Sequence, residues 1–132
     1  MRQRPRIPVE GLCGVVTHKE LRHAAVLDLS TLGVRLERPF DPTNASRTVQ
    51  LELEIPDIDE IFWATGHVTH AHLRPMGGTH ANGQPRLWCT AGIEIDAAAS
   101  RELRILREYV YEKRRMIDEN WGWFSTAAST SA

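Results

Sequence analysis

Cysteine is scarce in this chain of 132 residues: Cys13 and Cys89 are the only two. They form no CxxC pair and too few bridges for a disulfide framework, which excludes a stapled secreted scaffold and a cysteine-based metal or redox motif. Both read as half-buried free thiols. Long uncharged apolar runs are also missing, so no membrane insertion is expected. The basic start, Met1-Arg2-Gln3-Arg4-Pro5-Arg6, is not followed by the apolar stretch of a secretory signal, and the expected location is the cytoplasm. An excess of one charge is lacking too. The net charge of −1 and pI near 6.6 argue against a partner that is a nucleic acid polymer. Finally, no Ser-His-Asp set, nucleophile elbow, paired acids or phosphate loop stands in a supporting context, so no enzyme activity and no cofactor are expected.

What is present suits one domain with one hydrophobic core. Hydrophobic residues make up 42% and charged residues 25% of the chain, ordinary values for a globular protein. The positive charge is unevenly placed. Arg2, Arg4 and Arg6 precede the first acid, Glu10. A basic arm on a nearly neutral protein favours a small anionic ligand over a polyanion.

The middle of the chain carries the period of two that marks strands with one wet face. Val49, Leu51, Leu53 and Ile55 alternate with Gln50, Glu52 and Glu54, and Leu87, Cys89, Ala91, Ile93 and Ile95 repeat the pattern. Shorter strands are expected over 7–17, 23–29, 33–37 and 61–73. Turn-rich pieces separate them: 39–44, Pro56-Asp57, and 75–85 with its three glycines. The last piece reads as an insertion covering one end of the fold. The expected fold is mainly β, a six- to seven-stranded antiparallel barrel with a C-terminal α-helix.

After Ile95 the period changes to that of a helix. Leu103, Leu106, Val110 and Ile117 share one face, Asp96 or Ser100 is the expected cap, and the helix is expected to end near Asn120. The domain is thus placed at 1–120, followed at 121–132 by an aromatic and then flexible tail. Trp121, Trp123 and Phe124 have two readings, core folded back on the barrel or an exposed anchor for a partner or second copy. His67, His70, His72 and His80 read as polar residues on the wet side of a strand in preference to a zinc or nickel site.

Two short motifs meet on this scaffold. Arg2 to Arg6 forms RxxxR immediately before the first strand, and Asp28-Leu29-Ser30-Thr31-Leu32-Gly33 forms DxSxxG between two strands. Each is weak alone; their order and spacing together resemble the PilZ domain family, and Thr90 to Ile95 looks like that family's final barrel strand. The resemblance implies a bacterial receptor for the second messenger cyclic di-GMP, with Arg2, Arg6, Asp28, Ser30 and Gly33 as ligand-binding residues. Guanidinium groups fork onto phosphate oxygens or a guanine edge and stack on bases. Asp28 would accept from guanine N1 and N2, Ser30 would offer a hydroxyl, and Gly33 would supply a positive φ and room for close approach. The expected partners are the ligand and an unidentified downstream protein, with a homodimer as a further option. The alternative is an interaction module of the same fold with a vestigial ligand site.

Overall fold

Six runs of alternating or apolar residues become six strands, and the computed structural model describes residues 6–17, 20–44 and 46–130. The elements are β1 (Arg6–Thr17), β2 (Glu20–Ser30), β3 (Gly33–Pro39), a short 3-10 turn (Pro42–Asn44), β4 (Thr48–Glu54), β5 (Ile61–Thr79), β6 (Pro85–Ala98) and α1 (Ser100–Thr130). Every pairing is antiparallel, and the order β1-β2-β3-β6-β5-β4 closes into a barrel.

The period of two decides what points inward. Val49, Leu51 and Leu53 of β4 and Ile93 and Ile95 of β6 are buried in one core cluster with Val15, Val26, Leu29, Leu36 and Phe62. Both cysteines are free and more deeply buried than the sequence suggests, Cys13 completely and Cys89 at 9% exposure. Burial pushes the Cys13 thiol up to about 12, because an anion there would lose its hydration.

Strand direction gives the barrel two different ends. One gathers the start of β1, the β2–β3 turn, the β4–β5 turn and the passage from β6 into α1. The helix closes this end. Leu106 and Val110 are fully buried in the barrel core, with Leu103, Tyr109 and Ile117 packed beside them; each fully buried aliphatic side chain contributes about 1.5–3 kcal/mol. Arg101 donates two hydrogen bonds of 2.6 Å to the Glu60 carboxylate, and Lys113 reaches Asp57 at 3.2 Å. These exposed pairs orient the helix more than they stabilise it.

Three boundaries differ from the sequence reading. The piece over 75–85 does not cover an end of the barrel. It continues β5 and β6 as an exposed two-stranded arm that turns only between His80 and Gln84, where Gly83 takes a φ of 86°. Asp96 lies on β6 bonded to His67, so it does not cap the helix, and Ser100 is the first helical residue. The helix passes Asn120 and runs to Thr130. The backbone of Trp121, Trp123 and Phe124 is therefore helical, and their side chains lie outside the described set.

Candidate functional site

The DxSxxG segment sits at the helix-closed end, where β2 turns into β3. Alternation fails here: Asp28, Leu29 and Ser30 are buried in succession. Leu29 belongs to the core, whereas Asp28 and Ser30 lie on the outward face. A register shift between Val26 and Asp28 inserts the extra residue that re-aims this part of the strand, as bulges do.

Strand pairing lays out two rows, the first across four strands and the second across five. The first runs Arg6, Ser30, Gly33, Glu94, and the second Pro8, Asp28, Arg35, Gly92, His70. Arg6 thus becomes the backbone neighbour of Ser30, 24 positions away in sequence, with Gly33 one strand further along the row. The side chain of Arg6 lies outside the described set, as does all of Arg2; the backbone of Arg6 is the point at which the basic arm joins the barrel.

Asp28 is 5% exposed, and its Oδ2 forms an ion pair with Arg35 Nε at 2.8 Å. The ion pair aims a carboxylate at the outward face beside a half-exposed guanidinium. Ser30 Oγ donates to the Gly33 carbonyl at 3.3 Å, which ties the two sides of the turn together.

Gly33 corrects one expectation. It does not carry a positive φ; Gly77, Gly78 and Gly83 are the glycines that do among the described residues. What Gly33 requires is the missing Cβ, which would stand 2.8 Å from the Ile93 carbonyl oxygen. The turn therefore presses directly against β6. Gly92 performs a similar service in the second row, because its absent Cβ leaves the space that the His70 ring occupies. The result is a floor of small residues, Ser30 and Gly33, bordered by Arg35, Glu94 and the His70 ring seated over Gly92. Arg35 and His70 belong to neither motif. The signal for Arg35 was its position two residues after Gly33, on the same face of β3; His70 stood out only as one of a group of histidines, and pairing alone brings it to Gly92.

Such a face offers a carboxylate acceptor, a hydroxyl and a cation over a flat surface. That combination suits hydrogen bonding to a base edge and pairing with phosphate, and it contains no activated nucleophile. The histidines do not assemble elsewhere either. His67 Nδ1 lies 2.7 Å from Asp96, the rings of His70 and His72 are 5.8 Å apart, and among the described residues no three metal-binding side chains converge. No helix of the described residues is long and apolar enough to cross a membrane.

The fold and the motif have counterparts among known proteins. The chain is similar to the motility inhibitor MotI/DgrA of Bacillus subtilis, with 14% identity and a TM-score of 0.63 over 89% of this chain and 52% of that one. It thus spans about half of that protein's length. It is also similar to the PilZ domain of YcgR from Escherichia coli, solved with c-di-GMP, with 12% identity and a TM-score of 0.63 over 92% of this chain and 97% of that one. PlzA of Borreliella burgdorferi, in complex with c-di-GMP, aligns at 12% identity and a TM-score of 0.57 over 87% and 46% of the two chains. No curated protein sequence matches the chain. The family model of the PilZ domain matches residues 1–112, a span that holds both motifs, all six strands and the first turns of α1. The chain belongs to the PilZ domain family.

Proposed function

We propose that this domain is a receptor for cyclic di-GMP that acts through binding and catalyses no reaction. The observation that carries the reading is the backbone pairing row Arg6, Ser30, Gly33, with Asp28 and Arg35 in the row beside it. It joins the basic arm to a hydrogen-bonding face at one end of the barrel. In this reading Arg2 and Arg6 wrap the ligand phosphates and guanines. Asp28 accepts from a guanine edge, Ser30 donates a hydroxyl, and Gly33 keeps the floor low. Two of the similar solved structures carry c-di-GMP, which supports the same ligand here. Ordering of the basic arm on binding would pass the signal to a cytoplasmic protein partner or to a second copy of the chain.

The test is calorimetric titration of the parent, Arg6→Ala and Asp28→Ala with cyclic di-GMP and cyclic di-AMP. The parent is expected to prefer the guanine ligand. Each substitution should weaken binding by roughly 10- to 100-fold, the worth of a charge-assisted contact. Arg22→Ala, at the other end of β2, should bind like the parent. A parent with no preference for the guanine ligand, or an Arg6→Ala that binds as tightly as the parent, would transfer the assignment to a partner-binding module with a vestigial site.

A further inference from the structure

Among the described residues, no element closes the end of the barrel away from α1. That end holds a cavity of about 480 Å³, a volume within the usual range for small-molecule sites, which favour barrel mouths among other places. Three segments continue the inward-facing series of the core and end it with an arginine at the rim. On β2, Arg22 precedes the buried Ala24 and Val26. On β3, Arg38 follows the buried Val34 and Leu36. Ahead of β4, Arg47 precedes the buried Val49 and Leu51.

The three guanidinium groups are not equivalent. Arg22 is neutralised, bonded to Glu20 at 2.7 Å and to Asp41. Asp41 is itself committed, since it also accepts from Thr43 Oγ1 at 2.6 Å and Thr43 N at 2.9 Å. Arg38 and Arg47 have no ion-pair partner among the described residues. Cys89 beside them stays a neutral thiol, pushed up by burial against the opposing charge of Arg38. The rest of the wall is chiefly apolar, with Phe40, Val68, Ala71 and Ala91, and its polar members are Ser46, Thr69 and His70. The rim is also held in place, because Phe40 N donates to Leu87 O at 2.9 Å and Val68 N to Arg47 O at 2.8 Å.

From these observations we infer a second ligand site, distinct from the DxSxxG face: the barrel mouth binds a small amphiphilic monoanion, an apolar body bearing one carboxylate, with the carboxylate between Arg38 and Arg47. The apolar wall takes the body and penalises any further charge, while a guanidinium fork matches a carboxylate. Gly33 and Arg38 stand five positions apart along β3, about 17 Å at the rise of a strand, so the two sites share no contact residue on that strand; on β5, His70 borders both.

The probe is octanoate, with octanol as its uncharged analogue, followed by amide shifts in two-dimensional NMR spectra of the full chain. Octanoate should shift Phe40, Ala71 and Ala91 saturably and leave Ser30 and Gly33 in place. Octanol should bind at least tenfold more weakly. Arg38→Gln and Arg47→Gln, each made singly and together, should weaken octanoate about tenfold or more and leave octanol unchanged. Equal binding of acid and alcohol by the parent overturns the inference without recourse to any variant. Absence of a saturable shift at the mouth overturns it as well, as does a folded double variant that binds octanoate like the parent.

Discussion

The two ends of this barrel are built from the same six strands and solve different problems. At one end a helix drives Leu106 and Val110 into the core, and the turn beneath it is drawn so close to β6 that Gly33 has no space for a Cβ. At the other, the apolar series of three segments stops at arginines around a cavity that no described element covers. Tight closure fixes the backbone on which Asp28 and Ser30 are displayed. The open end has spare volume and unbalanced charge in its place. Rigid display and open volume are different ways of making a binding surface, and the two proposed sites draw on one each.

The contrast breaks most sharply on Leu106→Ala. Truncating a fully buried side chain at the closed end should cost about 2–5 kcal/mol, measured by denaturant unfolding. Gly33→Ala ranks next. The added methyl meets a backbone carbonyl, which cannot swing away as a side-chain end would, so a cost of about 1–3 kcal/mol is expected, with altered amide shifts along β6. A Gly33→Ala protein as stable as the parent would show that the turn has slack.

The open end should respond to acid locally. Hydrogen bonds from Thr43, then Arg22, hold Asp41 at about 2, below its ordinary 3.8. A carboxylate with a depressed pKa contributes stability that is present above its unfolded value and lost as pH falls through the folded one. The Thr43 amide shift should therefore titrate with a midpoint near 2, and Arg22→Ala should move that midpoint upward. The smallest effect is expected for Arg38→Gln, within about 0.5 kcal/mol of the parent in stability, because no ion pair of Arg38 among the described residues is lost. A large loss there would make the mouth a structural element and blunt the distinction between the ends.

Local pattern carried much of this fold. Alternation at Val49, Leu51 and Leu53 and again from Cys89 to Ile95 marked the inner faces of β4 and β6, and the spacing of Leu106 and Val110 marked the buried side of α1. The arm was hidden because Pro75, Gly77 and Gly78 have the composition of a turn. In the structure the two glycines take φ values of 95° and 76° within β5, at a register shift between Pro75 and Thr79 that leaves the ribbon running. The motif located Asp28, Ser30 and Gly33, yet it assigned Gly33 a conformational role where the backbone shows a steric one. Arg22, Arg38 and Arg47 were invisible as a group. They stand on three segments, and only barrel closure brings them to one rim.

The arm has a consequence for solubility. Within the barrel every strand is flanked on both sides, so hydrogen-bonding edges are consumed by closure. Beyond His67, the last residue paired with β4, β5 runs on to Thr79 with β6 along one side and no strand along the other among the described residues. A free edge of that length is a template for pairing with another chain and, in the worst case, for fibril growth. The composition that disguised the arm as a turn is also what guards it. Pro75 removes a donor, paired glycines break the flat pleat, and register shifts at Val68/His70 and Pro75/Thr79 twist the ribbon out of the plane a neighbour would need. Residues that make the segment look like a poor strand are the ones that keep an exposed strand from aggregating.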